Sequence, residues 1–469
     1  MLWAERTRVD LRAMHDTLAE SHPGPLDEEN PAFRVFQAEG LSAGLSRAHE
    51  VTSYEGYVFA LRRYAAGFRD GHLSVSSSPR LKASWPGFVV TYREGGYFVH
   101  GEPDEPDEKD GAARAGDRLI ACDGVSIEER MRRDVFPYGG NPSLAASYPD
   151  KAPLLLVDLG NPDVPRARAC HLERGSSKVT IRLNWSPIDE AKLWPLVEAA
   201  RFGAPSSFGM KTLASGIEWV SLPTFKPKSD ADTIALRGAV RRAADLRRSR
   251  AIVFDVRGNR GGNSQWAEDI VAALYGDAYV TFRKVREGLS TAYADWRVST
   301  ENIAHLRALL PKLEAESGAE SPIVEMVRDV ARDMTLAARE GRAYVAYHDP
   351  PPRLPEGGEA PESPVSAQVF LLTDGRCGSS CLDFADLLFA MGNVRHIGEP
   401  TNADTTYGDV RGVSLPSGFS RLTFAMKVIR GRPRGNNEPY VPAEVYSGST
   451  GLEAWVEGLV LRGRVNAGK

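Results

Sequence analysis

Two short apolar runs, each followed at once by a glycine-rich turn, constrain this chain most. "AIVFDV" (251–256) leads into "RGNRGG", and "VFLL" (369–372) leads into "TDGRCGSSCLDF" (373–384). Runs of four to six apolar residues without polar alternation suit strands covered on both faces, the signature of a parallel sheet. A helical pattern follows each turn: Trp266, Ile270 and Leu274 after the first, Phe384, Leu387, Leu388 and Met391 after the second. Strand alternating with helix predicts an α/β sheet with crossover helices. The strand "GIEWVSL", a helix over 231–247 carrying Ile234, Ala235, Val240 and Ala244, and the strand "VRHIG" (394–398) extend the same plan.

The rest of the chain divides around this core. Residues 1–80 read as helical, with Leu11, Met14 and Leu18 on one stripe. A second helix starts at Thr52, where Glu55 completes a capping box, and Tyr57, Leu61, Tyr64 and Phe68 line one face. It ends at "RDGH" (69–72), before the alternating strand "LSVS". Residues 81–185 form a small β-rich module with "GFVVTY", "GYFVHG" and "KVTIRL" as strands. The α/β core occupies 186–469, interrupted over 300–365 by helical sequence and the Pro-rich stretch "DPPPRLPEGGEAPESP", an insertion or lid with a stiff linker.

Bulk properties narrow the function. The 469 residues carry 58 Lys plus Arg against 62 Asp plus Glu, a net charge of −4 without the basic excess of a nucleic-acid binder. No run of about 18 apolar residues is present, so no membrane span is expected. The segment "MLWAERTRVDL" lacks the apolar stretch of a secretory signal. The expectation is therefore cytoplasmic as the sequence stands, and periplasmic or secreted if a signal was trimmed. The four cysteines fit neither a disulfide framework nor a zinc site. Buried reduced thiols are the expected state, with a small Cys377–Cys381 disulfide or a thiol nucleophile as alternatives.

Three stretches carry chemistry. A turn from strand to helix, as at 373–384, exposes a side chain beside free helix N-terminal amides that can stabilise an oxyanion. The same serines also suit an ordinary helix cap. It is not the G-x-S-x-G elbow, since "GSSCL" lacks the second glycine. "DVRGNRGG" (255–262) lets backbone approach closely and offers a second nest of amides, or is simply a tight turn. In "RDGH", His72 is placed to act as a base, or is a surface histidine like most of the nine in the chain. His396 lies inside a strand pattern and reads as structural, and Arg432 and Arg434 could take a substrate carboxylate or belong to a solvated loop.

Taken in chain order, "SHPG", "DGHL", "AGDRLIACDG", "DVRGNRGG", "LTDGRCGSS…DFA" and "HIGEPT" resemble the tail-specific (carboxy-terminal-processing) serine protease family. The resemblance implies a crotonase/Clp-like α/β protease core with an N-terminal helical region and a PDZ-like domain. It implies Ser379 as nucleophile, with Thr373, Gly375 and Ser379 in register. The Ser380 amide and the Gly261–Gly262 loop become the oxyanion donors. The first lysine after Ser379 is Lys427, too distant for the family's Ser/Lys dyad, so the tricorn-like branch fits better: His72 as base and Glu438 in "GNNEPYVP" as its carboxylate. Asp70 is the other candidate to orient His72. Leu382 and Gly71 depart from the family pattern. The PDZ-like module implies substrate binding at the carboxylate loop "WPGF", through Trp85, Gly87 and Phe88, or a purely structural cover. The resulting expectation is a serine endopeptidase acting on unstructured or C-terminal segments of a peptide or protein substrate, without metal or cofactor. A non-catalytic peptide- or ligand-binding relative and an esterase or amidase are the alternatives.

Overall fold

The computed structural model describes residues 2–101, 112–203, 205–348, 360–446, 448 and 451–467. Much of the Pro-rich stretch lies outside them.

The two apolar runs are neighbouring parallel strands. Ala251–Asp255 lies beside Gln368–Thr373, with Asp255 opposite Leu372, at the centre of a six-stranded sheet. Ile217–Ser221, Val394–Gly398 and Glu444–Val445 continue it in parallel, and Gly209–Thr212 pairs antiparallel at one edge. The helices Asp230–Ala243, Gln265–Tyr275 and Ser380–Ala390 bury one face of this sheet. The C-terminal helix covers the other with Val456, Leu459 and Val460. Both faces are thus dry, which is why these strands lack polar alternation.

A second sheet joins distant parts of the chain. Ser74–Ser77 pairs with the long strand Ser420–Arg430, which also pairs with Tyr407–Ser414 and Tyr293–Arg297. The N-terminal helices Leu2–Ser21, Pro31–Ala48 and Tyr54–Gly67 pack on it through Leu11, Met14, Leu18, Tyr57 and Leu61. The helical region after 300 is an antiparallel pair, Thr300–Ser317 and Pro322–Arg339. The flanking strands Tyr293–Arg297 and Tyr344–Tyr347 pair with each other, so this segment is stitched into the second sheet. The β-rich module is a separate sheet of Val89–Arg93, Gly96–His100, Arg118–Cys122, Val125–Ser126, Ala169–Arg174 and Ser177–Arg182, with its own core.

Three local expectations change. The cap of the helix before "RDGH" is Ser53, which accepts from the Gly56 amide, one residue later than Thr52. In Asp230–Ala243 the buried face is Leu236, Ala239 and Ala243, while Ile234 is 63% exposed. The thiols are not reduced: Cys122 bonds Cys170 across paired strands, and Cys377 bonds Cys381. The first pairing could not be anticipated from a 48-residue separation, since register alone brings the two together.

Candidate active site

Ser379 begins where the strand Gln368–Thr373 has turned and the helix Ser380–Ala390 is about to start. It stands at the N-cap position, yet its side chain makes no capping hydrogen bond. Its backbone sits at φ 54° and ψ −129°, in the positive-φ half that a residue with a Cβ avoids. Such a conformation costs about 1–3 kcal/mol and persists only where surroundings enforce it. The Cys377–Cys381 disulfide brackets it, and the Ser379 carbonyl accepts from the Leu382 and Asp383 amides. The Ser379 amide donates to Asp404 Oδ2 at 2.8 Å.

The glycine-rich turn lies against this serine because their strands are neighbours. Asp374 ties the two turns, accepting from the Gly258 amide at 3.1 Å while paired with Arg376 at 3.0 Å. A Cβ on Gly261 would lie 2.7 Å from Ser379 Cβ and 2.8 Å from the Gly378 carbonyl, so only glycine fits. The Gly261 amide already donates to Asn259 Oδ1 at 2.9 Å. It is therefore a close-packing residue rather than a free donor. The Gly262 and Ser380 amides carry no hydrogen bond among the described residues. Ser380 Oγ donates to the Gly262 carbonyl at 2.8 Å and accepts from Ser264 Oγ, which also donates to Asp383. Burial pushes the Asp383 carboxyl up to about 6, with Asp404 and Asp386 adding to it.

The histidine turn comes from the N-terminal region and is tied to Thr405, the neighbour of the Asp404 that holds Ser379. Asp70 is fully buried; it accepts from the His72 amide at 2.9 Å and from Thr405 Oγ1 at 2.8 Å, and meets His22 Nε2 at 3.1 Å. Burial pushes its carboxyl up, but His22 and His72 more than offset this and leave it below the ordinary range. Asp70 thus shapes the backbone of the turn, and its bonds go to His22, Thr405 and the His72 amide rather than to the His72 ring. The Nδ1 atom of His72 is buried and has no partner among the described residues. Asn437 closes the circuit: its side chain donates to the Arg69 carbonyl at 3.2 Å and its amide to the Asp404 carbonyl at 3.0 Å. Glu438, next in the chain, is exposed and accepts from the Gly435 amide.

Asp404 and Thr405 are the residues that sequence reasoning missed. Consecutive in the chain, one holds Ser379 and the other holds Asp70. Asp404 also pairs with Arg434, whose guanidinium is 1% exposed and reaches Asp386. Arg434 is therefore a buried strut, and Arg432 bonds the Arg434 and Thr405 carbonyls, so neither belongs to a solvated loop. His396 bonds Thr373 Oγ1 at 2.7 Å, and burial lowers its pKa to about 4. Lys427 pairs with Asp409 at 2.6 Å in the second sheet. Trp85 and Phe88 are buried in two different packing clusters, which leaves only backbone, at Gly87 with φ 95°, to meet a ligand. A cavity of about 550 Å³ adjoins the histidine turn, with Asp70, Gly71, Asn402, Ala403 and Asn437 in its wall. Among the described residues, no cluster of three or more His, Cys, Asp or Glu is arranged to hold a metal.

Residues 217–431 match the model of peptidase family S41. No curated protein matches the sequence. Three solved structures share the fold over nearly the whole chain. Mature CPAF is 13% identical with a TM-score of 0.62, covering 95% of this chain and 93% of its own. Mature CPAF complexed with lactacystin is 14% identical at a TM-score of 0.64, covering 95% and 94%. The CPAF S499A mutant is 12% identical at 0.64, covering 95% and 93%. The match to peptidase family S41 covers a little under half of the chain and supports a serine-type peptidase.

Proposed function

We propose that the protein is a serine endopeptidase that cleaves unstructured or terminal protein segments through an acyl-enzyme on Ser379. The supporting observation is Ser379 itself: a non-glycine residue at positive φ, with no capping bond, at a helix start beside two amides that have no hydrogen bond among the described residues. Strained residues of this kind cluster at reactive sites.

His72 takes the Ser379 proton as the hydroxyl attacks the peptide carbonyl, then returns it to the leaving amine. The Ser380 and Gly262 amides hold the oxyanion, with Gly261 keeping the two turns in contact. One such donor is typically worth about 10²–10³ in rate. The His72 ring needs a carboxylate at Nδ1 to fix its tautomer. Glu438, beside the Asn437 that ties to the histidine turn, is the residue assigned to reach it when substrate is bound, since catalytic hydrogen bonds often tighten only in the complex. The β-rich module presents the Gly87 backbone to a peptide strand.

Fluorophosphonate labelling tests this reading. Labelling at Ser379, lost in Ser379→Ala and slowed about 10²–10⁴-fold in His72→Ala, is the expected result. The unpartnered His72 Nδ1 favours a second reading, a binding protein on the same fold, and tight peptide binding with neither labelling nor turnover would establish it. Parallel assays on casein and short esters separate a peptidase from an esterase.

A further inference from the structure

The cavity beside the histidine turn has an unbalanced charge. Its acidic residues are engaged: Asp70 by His22, Asp134 by Arg130 at 3.3 Å, Asp150 by Lys151 at 2.9 Å and Asp158 by Arg166 at 2.6 Å. Arg260 is likewise engaged, by Glu198 at 3.4 Å. Two cations in the same wall are not. Arg62 lies over the Phe59 ring at 5.4 Å, and neither its guanidinium nor that of Arg69 has a hydrogen bond or ion pair among the described residues. Burial lowers the pKa of Arg62, as expected of a half-buried cation without a counter-charge. Arg69 directly precedes Asp70, and both line the cavity.

We infer that Arg62, assisted by Arg69, receives a carboxylate of the peptide substrate in this cavity. The inference rests on the peptidase reading of Ser379 and adds a substrate class to it. A guanidinium presents paired donors matched to a carboxylate, and partial burial strengthens the contact relative to water. The carboxylate has two sources, an Asp or Glu side chain or the free C-terminus. An acidic side chain is the better fit to an endopeptidase, because the cavity wall includes Asp70 and Gly71 of the turn that carries His72.

The test reads binding rather than turnover. Immobilised Ser379→Ala protein is incubated with a randomised octapeptide library capped at both ends, and retained peptides are identified by mass spectrometry. The expected result is about tenfold or greater enrichment of Asp or Glu at one position, consistent with a charged hydrogen bond. That enrichment should disappear in Ser379→Ala/Arg62→Gln and survive in part in Ser379→Ala/Arg62→Lys. The same library with a free C-terminus forms the second arm, where retention governed by the terminal carboxylate, and abolished by Arg62→Gln, identifies the terminus as the source. No carboxylate preference in either arm, or a preference untouched by Arg62→Gln in a variant that melts like its parent, overturns the inference. Fluorophosphonate labelling of the unmutated protein separates the two readings. Labelling without enrichment removes this inference alone, and enrichment without labelling removes the peptidase reading while keeping the carboxylate site.

Discussion

The amide of Ser379 donates to the carboxylate of Asp404 at 2.8 Å, although the two lie 25 positions apart. The bond holds the serine in its strained backbone conformation. Asp404 is itself pinned by Arg434 at 2.8 Å. Asp404→Ala should therefore act twice. It releases the Ser379 backbone and leaves a guanidinium that is 1% exposed with one partner fewer. Breaking a buried pair of this kind costs about 3–5 kcal/mol. Asp404→Asn keeps an acceptor oxygen and should fold better, yet slow fluorophosphonate labelling at least about tenfold through loss of a charged hydrogen bond. Thermal melts and labelling rates on both variants check this.

Ser379→Gly and Ser379→Ala should both be inactive but differ in stability. Glycine accepts φ 54° without the Cβ penalty, whereas alanine retains it. The glycine variant should be the more stable by about 1 kcal/mol. Chemical denaturation measures the difference, and equal stabilities would mean that the serine backbone is relaxed.

Gly261→Ala places a methyl 2.7 Å from Ser379 Cβ and 2.8 Å from the Gly378 carbonyl. Both turns would have to part. The expectation is near-complete loss of labelling and destabilisation of about 1–3 kcal/mol, the usual cost of overpacking. Calorimetry alongside labelling distinguishes this from global unfolding.

Stability should carry a pH signature from two groups of opposite sign. Burial and the neighbouring Asp374 push Glu399 up to about 7. From about pH 4.5 to 7 the folded chain keeps a proton that the unfolded chain has lost, so Glu399 lowers stability as pH rises through that window. His396, lowered to about 4 by burial, does the reverse: its contribution is present above about 6.5 and is lost as pH falls. Glu399→Gln should therefore gain on the parent between pH 5 and pH 8, and His396→Gln should gain on it as pH falls from 7 to 5. Melting temperatures across that range report both slopes.

The core was legible because apolar runs and glycine turns are local signals. "VFLL" and "AIVFDV" announce covered parallel strands, and the turn after each falls at a strand's carboxyl end, where α/β sheets place their sites. The turns that carry His72 and Ser379 were readable for the same reason, each being a compact, local signal. Asp404 was not, because "TNADTT" has no periodicity or motif of its own and acquires its role only when the chain brings it under Ser379. His22 became a partner of Asp70 only through packing of the first helix. Ile234 misled because helix phase, set by Leu236 and Ala239, decides which apolar residue faces inward.

The bond between Cys377 and Cys381 encloses Gly378, Ser379 and Ser380 in a small covalent ring. Formation of the Ser379 turn is thereby coupled to the oxidising power of the surroundings in which the polypeptide is made. Material recovered from a reducing cytosol and material passed through an oxidising export route would share a sequence and differ chemically around Ser379. Mass determination of the thiol state belongs beside every activity assay of this protein.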